Sequence, residues 1–260
     1  MGYFNFSYFR IMNVLLAIPA RYGSSRFEGK PLTDIKGKTM IQRVVEQCMK
    51  VQDLTENTID VVVATDDKRI FNHVAPFCKV LMTSGNHESG TDRIAEAAML
   101  MNKPYDVVIN VQGDEPIIKP EQILQLIHCF NISGTKIATL VKPVSYSDEL
   151  ESPNTVKCIF DHQFNAIYFS RFTIPFYRNI NDRIGKEFYK HIGMYGFTPE
   201  TLNKVTLLPQ SLLEKAECLE QLRWLENGYK IQIALTYFDN IAVDSPEDVQ
   251  KVLMALEVLN

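Results

Sequence analysis

Residues 13–31, NVLLAIPARYGSSRFEGKP, decide the fold class of this chain. The five apolar residues 14–18 predict a buried first strand that stops at Pro19. Ligands of open α/β sheets bind beyond the carboxyl ends of the strands. The loop after this strand therefore lies where a ligand is expected.

That loop concentrates positive charge beside small residues. Arg21, Arg26 and Lys30 stand together with two glycines and two serines within residues 21–30. Glycine lets backbone N–H groups approach a phosphate, arginine binds phosphate bidentately, and lysine binds it as a point charge. The loop is predicted to bind phosphate, and a charged surface turn is the alternative.

The spacing of the loop disfavours two common nucleotide-binding motifs. A Walker A loop places four residues between its glycines and a hydroxyl after its lysine. Here five residues separate Gly23 from Gly29, and Pro31 follows Lys30. The chain also lacks a Gly-x-Gly-x-x-Gly sequence. ATPase, GTPase and dinucleotide-binding interpretations are therefore disfavoured.

Outward from the first strand, apolar runs of strand length alternate with helical patterns, which predicts a mostly parallel sheet flanked by helices. The further predicted strands are 61–64, 80–83, 107–111, 137–141, 230–235 and 241–243. The predicted helices are 40–50, 92–101, 121–130, 212–227 and 246–259.

The pattern changes between about 152 and 195, where runs at 156–160 and 166–170 predict an antiparallel hairpin. No Gly-, Pro- or Ser-rich linker divides the chain. We expect one α/β domain over 12–260 with this antiparallel insert, preceded by an extension over 1–11.

Composition excludes several classes of protein. The chain has 260 residues, 46% of them apolar, and a net charge of −4, which lacks the basic excess of a nucleic-acid-binding protein. Five scattered cysteines without a Cys-x-x-Cys pair fit a reducing cytosol. No run suits a membrane span, and residues 1–10 make a poor signal peptide, so a cytoplasmic location without membrane partners is expected.

Six stretches of the chain, taken in order, resemble the sugar-acid cytidylyltransferases, most closely the 3-deoxy-manno-octulosonate (Kdo) cytidylyltransferase family. They are AIPARYGSSRFEGKPL at 17–32, ATDD at 64–67, SGTDRIAEA at 89–97, VINVQGDEP at 108–116, and LEQLR at 219–223 with VDSPEDV at 243–249.

The resemblance implies a three-layer, Rossmann-like α/β nucleotidyltransferase with a mostly parallel mixed sheet and an antiparallel dimerisation insert. It implies Mg²⁺-dependent transfer of CMP from CTP to Kdo, giving CMP-Kdo and pyrophosphate for lipopolysaccharide synthesis, by a homodimer. Alternatives are the same reaction on 8-amino-Kdo or another sugar acid, and a nucleotide-binding regulatory module without catalysis.

Two carboxylates are the candidate metal ligands. Asp114 and Asp244 each follow a predicted strand, and Mg²⁺ prefers one or two carboxylates together with phosphate and water oxygens. A turn-forming Asp114 and a helix-capping Asp244 are the alternatives. Ser245 already supplies the cap, with Asp248 at the third helical position. The resemblance implies that both aspartates bind Mg²⁺, and that Glu115 and Asp248 are structural.

For the nucleotide, the resemblance adds the segment that opens the helix after the third strand, where a simple capped helix start is the alternative. The implied nucleotide-binding residues are Pro19, Ala20, Arg21, Ser24, Arg26, Lys30, Ser89, Gly90, Thr91 and Arg93. Arg21 and Lys30 are the implied catalytic cations beside Asp114 and Asp244.

For the sugar acid, the resemblance implies a set of amide, imidazole, phenol, carboxylate and guanidinium groups. These are Gln112, Arg171, His191, Tyr195, Glu220 and Gln221. The alternatives are a structural salt bridge for Arg171, an ordinary surface position for His191, and a Glu220–Arg223 pair along one helix.

Overall fold

The computed structural model describes residues 10–23, 27–183 and 185–258 of the chain. The predicted nucleotide-binding residues Ser24 and Arg26 lie outside the described residues, as do residues 1–9 of the predicted extension. The strands are β1 (Asn13–Ala20), β2 (Asp34–Ile35), β3 (Lys38–Thr39), β4 (Thr58–Thr65), β5 (Lys79–Met82), β6 (Val107–Asn110), β7 (Ile137–Ser145), β8 (Lys157–Phe160), β9 (Ala166–Ser170), β10 (Glu187–Phe197) and β11 (Ile231–Leu235).

The α-helices lie between and after these strands. They are α1 (Met40–Met49), α2 (Lys68–Val74), α3 (Gly90–Leu100), α4 (Pro120–His128), α5 (Asp148–Glu151), α6 (Pro199–Val205), α7 (Leu212–Glu217), α8 (Gln221–Glu226) and α9 (Pro246–Val258). None of the described helices is both long and apolar enough to cross a bilayer.

The main sheet has the strand order β11-β7-β10-β6-β1-β4-β5, and β8 and β9 extend it beside β10. β1 pairs in parallel with both β4 and β6, whereas β10 runs antiparallel to both β6 and β7. The predicted mostly parallel sheet is confirmed, and the antiparallel β8–β9 hairpin of the insert is confirmed as well.

Alternating residues of β1 enter two hydrophobic cores, one on each face of the sheet. Val14, Leu16 and Ile18 pack with residues of α1 and α4. Leu15 and Ala17 pack on the other face with residues of α3, α6 and α8. This two-residue period explains why the whole run is apolar, because a strand covered on both faces has no polar side. The sheet is therefore the middle of three layers, with helices on both of its faces.

The first strand is longer than predicted. It continues through Pro19 to Ala20 and pairs there with Ala64 and Thr65 of β4. On the other side β6 ends at Asn110, which lies opposite Ala17. No β6 residue therefore pairs with Pro19. The proline has no backbone N–H, but no hydrogen bond between β1 and β6 is lost as a result.

Two other element predictions are wrong. Residues 212–227 form two short helices, because Cys218 between them adopts a left-handed conformation with φ of 51°. Residues 241–243 form no strand. Val243 instead donates a single backbone hydrogen bond, of 2.9 Å, to the carbonyl of Asp114. Asp244 therefore follows an irregular segment rather than a strand.

The strand β10 was not predicted from the sequence. Its pairing with β7 is interrupted by a register shift between Ile192 and Tyr195. Gly193 and Gly196 weaken the local strand propensity, and the shift breaks the two-residue alternation on which prediction depends. This strand nevertheless carries two of the predicted sugar-binding residues.

Candidate active site

A cleft of about 250 Å³ opens beyond the carboxyl ends of β1 and β6. Its walls come from the loop after β1, the start of α3, the loop after β6 and the segment before α9. Ten of the predicted site residues line it: Pro19, Ala20, Arg21, Lys30, Ser89, Gly90, Arg93, Gln112, Asp114 and Asp244. The sequence motifs, which are far apart along the chain, therefore meet in one place.

The loop after β6 approaches the end of β1 very closely in this cleft. A Cβ atom at Gly113 would lie 2.8 Å from the carbonyl oxygen of Pro19, which is closer than real contacts allow. Only glycine fits there without displacing backbone. This close approach brings Asp114 to the side of the phosphate-binding loop.

Lys30 lies between the two predicted metal ligands. Its Nζ is 2.7 Å from Asp114 Oδ2 and 3.9 Å from Asp244 Oδ1, and it also donates to the carbonyl of Val243 at 2.8 Å. Gly29, with φ of 69°, precedes Lys30 and donates its N–H to the carbonyl of Tyr22, which closes the loop. Two carboxylates thus converge on one cationic group.

The donor set of the cleft suits Mg²⁺. In the described part of the chain no three His, Cys, Asp or Glu side chains form a metal-binding group. Two converging carboxylates are nevertheless what Mg²⁺ uses when phosphate and water supply its other ligands. The Lys30 ammonium between them shows that the site accommodates positive charge.

Asp244 is not the cap of α9. Asp248 Oδ2 accepts hydrogen bonds from the backbone N–H groups of Asp244 and Ser245, at 3.1 and 3.0 Å. The ion pair with Lys251 and these N–H donors lower the pKa of Asp248 to about 2. These contacts agree with the structural role that was predicted for Asp248.

The start of α3 combines a helix cap with part of the cleft wall. Ser89 Oγ accepts from the N–H of Asp92 and Asp92 Oδ2 accepts from the N–H of Ser89, both at 3.1 Å. The predicted capping box is confirmed. Since the amino end of a helix favours anions, the α3 terminus adds positive potential to the cleft.

Arg93 is held by residues that the sequence analysis did not assign. Its guanidinium is buried and donates to Asp66 Oδ2 at 2.9 Å and to Thr83 Oγ1 at 2.7 Å. Asp66 belongs to the ATDD motif at the end of β4, so the motif fixes the position of a cleft arginine. This contact between two motifs could not be read from their separation in sequence.

His87 and Glu88 also line the cleft and were not predicted. His87 Nε2 is hydrogen-bonded to Glu96 Oε2, which also accepts from the N–H of Ser84 at 2.8 Å. Glu96 thereby holds the loop before α3. The only sequence signal was the position of His87 two residues before the SGTDR motif.

Among the predicted site residues that the structure describes, six do not line this cleft. Two of these six, Thr91 and Glu220, join the cleft wall to a second polar cluster. Thr91 Oγ1 donates to Glu220 Oε2 at 2.8 Å. Burial raises the pKa of the Glu220 carboxyl. The Glu220–Arg223 pair, the alternative to a sugar-binding role, is also present, at 3.7 Å. Glu220 therefore connects α8 to the nucleotide side of the site.

Several polar atoms of this second cluster are buried without a hydrogen-bond partner of ordinary geometry among the described residues. They are Asn110 Oδ1, Tyr195 Oη and Gln221 Nε2. Asn110 and Tyr195 are paired neighbours on β6 and β10. Buried polar atoms are normally hydrogen-bonded, so a group of unsatisfied ones is typical of a place for a polar ligand.

His191 is held in one tautomer beside this cluster. Thr139 Oγ1 uses its single proton on the carbonyl of Met194, at 2.8 Å, and so accepts a hydrogen bond from His191 Nε2–H at 3.0 Å. Burial lowers the pKa of His191 to about 3, so the imidazole is neutral at ordinary pH. Its other nitrogen, Nδ1, is left as an acceptor.

Arg171 lies at the junction between α7 and α8. Its guanidinium donates to the backbone carbonyls of Pro153, Glu217 and Cys218, at 2.8, 2.7 and 3.3 Å. Its own N–H donates to Glu217 Oε2 at 2.8 Å. These contacts give Arg171 a structural role, the alternative to sugar binding, although through backbone carbonyls rather than a salt bridge. Direct contact with a sugar stays a prediction.

Comparison with known proteins gives consistent results. A family model described as cytidylyltransferase matches residues 15–231. The 3-deoxy-manno-octulosonate cytidylyltransferase of Parabacteroides distasonis is 49% identical, with 95% of this chain and 99% of that protein covered. The 8-amino-3,8-dideoxy-manno-octulosonate cytidylyltransferase of Shewanella sediminis is 48% identical, with 92% and 96% covered.

Among solved structures, CMP:2-keto-3-deoxy-manno-octonic acid synthetase complexed with CTP is similar to this chain, with a TM-score of 0.86 and 37% identity. The alignment covers 95% of this chain and all of that one. A cytidylyltransferase from Leptospira borgpetersenii, with a TM-score of 0.60 and 17% identity, shares the fold.

Proposed function

The chain belongs to the cytidylyltransferase family, and we propose that it transfers CMP from CTP to the anomeric hydroxyl of Kdo. The anomeric oxygen attacks the α-phosphorus of CTP. The bond from that phosphorus to the bridging oxygen breaks, and pyrophosphate leaves as the hydroxyl loses its proton. The product is CMP-Kdo, a precursor for lipopolysaccharide.

One observation carries this proposal above all. The acidic side chains of two distant motifs, Asp114 and Asp244, converge on Lys30 in a cleft at the carboxyl ends of parallel strands. A binding module would need cations for a triphosphate, but it would not need two carboxylates facing them. Carboxylates beside a phosphate site are explained by a divalent cation.

Asp114 and Asp244 would hold Mg²⁺, which offsets the charge that develops on the α-phosphate when it is bound. Arg21 and Lys30 would bind the triphosphate and stabilise the departing pyrophosphate. Lys30 is already anchored by the carbonyl of Val243, so its ammonium is fixed in direction before the substrate arrives. The amino end of α3, with Ser89 and Gly90, would bind the nucleoside side of CTP.

The second cluster supports binding of the sugar acid. Its unsatisfied amide and phenol groups offer donors and acceptors to the hydroxyl groups of Kdo. Glu220 would accept from a sugar hydroxyl. Gln112 lines the cleft and donates to the carbonyl of Gly193 on β10 at 2.9 Å, so it connects the cleft to the strand that carries His191 and Tyr195. His191 would present the neutral Nδ1 as an acceptor.

A second candidate acceptor is 8-amino-Kdo, since relatives named for that substrate are 47–48% identical to this chain. The two sugars are distinguished by assaying CTP and Mg²⁺ with each sugar acid and measuring kcat/KM by pyrophosphate release. We expect the higher kcat/KM for Kdo. A higher kcat/KM for 8-amino-Kdo would identify that sugar as the acceptor. No pyrophosphate release with either sugar would favour a regulatory module.

We also propose a cytoplasmic homodimer whose interface includes the insert of residues 152–195. Two phenylalanines of this insert, Phe172 and Phe176, are 71% and 80% exposed in the single chain. Large apolar side chains clustered at a surface are typical of a protein interface. A second copy of the chain would cover them.

A further inference from the structure

Asp244, the second proposed metal ligand, belongs to a segment with no regular secondary structure. Residues 236–245 connect β11 to α9 and form neither helix nor strand. The side chain of Asp244, near the end of this segment, is 53% exposed. A strand would fix the ligand through its hydrogen-bond ladder, so here other contacts must set its position. The segment is held in part by the packing of buried Val243 in an apolar core and by the Lys142–Asp239 ion pair.

Three hydrogen bonds join this segment to the loops of the cleft. Val243 donates its N–H to the carbonyl of Asp114 and accepts from Lys30 Nζ. The third contact joins side chains that do not line the cleft: Asn240 Nδ2 donates to Glu115 Oε1 at 3.1 Å. Glu115 immediately follows Asp114, so this bond connects the two ligand-bearing segments directly.

Glu115 is an unusual partner for a loop residue. It is only 3% exposed, and a buried carboxyl group is costly unless it is hydrogen-bonded. Glu115 has no part in the proposed reaction. The backbone before it is fixed by the close approach of Gly113 to Pro19. Glu115 is therefore a fixed point to which a neighbouring segment without regular structure can be attached.

We propose that the Asn240–Glu115 hydrogen bond is a positioning contact for the metal site, which docks residues 236–245 and thereby sets the separation of the Asp114 and Asp244 carboxylates. This inference rests on the proposed function. Asn240 and Glu115 touch neither substrate nor metal, and they act through the two aspartates.

Binding of Mn²⁺ in the presence of CTP, followed by electron paramagnetic resonance, tests this role without turnover. We expect Asn240→Ala to weaken Mn²⁺ binding roughly 10- to 100-fold, as loss of an orienting partner commonly does. Glu115→Gln keeps an oxygen acceptor for Asn240, so its affinity should stay within about threefold of the unmodified chain. Tyr237→Ala, an exposed change on the same segment, is the matched control.

Two results would overturn the inference: unchanged Mn²⁺ binding in Asn240→Ala, or an equal loss in Glu115→Gln, which would assign the effect to charge. Amide exchange of the metal-free protein gives a second readout. The Val243 amide should exchange faster in Asn240→Ala but not in Tyr237→Ala. If the unmodified chain with CTP bound no Mn²⁺, the proposed function would fail instead.

Discussion

At the scale of the residue, the site depends on opposite charges held close together. The chain carries a net charge of −4, yet both proposed substrates are anions. Arg21 and Lys30 reverse the sign locally, and Asp114 and Asp244 would do so through a bound cation. Attraction of the substrates is therefore a local property of the cleft and not of the whole surface.

Replacement of either aspartate tests this charge arrangement. Asp114→Asn and Asp244→Asn should each lower kcat roughly 10³-fold or more, because several kcal/mol of metal-borne charge stabilisation are lost. Circular dichroism and the melting temperature should change little, since both side chains lie at the cleft rather than in a core. A near-normal kcat in either variant would contradict the metal assignment.

The half-buried imidazole of His191 leads to a prediction about stability. Its pKa of about 3 lies below that of an exposed histidine, so between about pH 4 and 6 the unfolded chain binds a proton at this residue that the folded chain does not. Stability should therefore fall as pH decreases through this range. His191→Gln should reduce the proton uptake on unfolding by up to about one proton.

Urea unfolding at a series of pH values measures this difference. The free energy of unfolding of His191→Gln should depend less steeply on pH than that of the unmodified chain below pH 6, with the two slopes alike at pH 8. His162→Gln, at a surface turn, is the control. Parallel slopes at all pH values would show that the folded and unfolded chains bind the His191 proton alike, which would contradict the lowered pKa.

At the scale of the element, the site forms where the carboxyl ends of β1 and β6 lie against each other. Gly113, just after β6, lies against Pro19 near the end of β1. This contact places the Asp114 carboxylate beside the predicted phosphate-binding loop. The contact depends on the absence of one Cβ atom. Gly113 is therefore more sensitive to substitution than its half-buried position would indicate.

Gly113→Ala should lower kcat/KM by at least about tenfold, because the added Cβ must push the loop after β6 away from Pro19 and misplace Asp114. Gly85→Ala is the matched control, since a Cβ there would meet nothing nearer than Asp66 Oδ2 at 3.8 Å. Steady-state kinetics with CTP as the varied substrate measures both. Equal kinetics for the two variants would contradict the close-approach argument.

The apolar runs and turn residues predicted most elements, and the ordered motifs predicted the cleft. The exceptions have physical causes. The break at Cys218 is fixed by tertiary contacts, including those of Arg171, and helical periodicity continues through it. The partners of Arg93 and Glu115 come from segments far along the chain, so no local pattern contains them.

At the scale of the whole molecule, the single chain leaves aromatic side chains of the insert uncovered. Phe172→Ser combined with Phe176→Ser should shift a dimer toward monomer, as judged by sedimentation velocity across a range of concentrations. Leu207→Ser, at another exposed apolar position, should leave the dimer intact. A monomeric unmodified chain, or an unaffected dimer in the double variant, would contradict the proposed interface.

The proposed reaction in this cleft joins CMP to Kdo. The most direct test is phosphorus NMR of the purified chain incubated with CTP, Kdo and Mg²⁺. We predict the appearance of one phosphodiester signal and of pyrophosphate in equal amounts, both dependent on Kdo and both absent with Asp114→Asn. CTP that persists unchanged in the complete mixture would contradict the account.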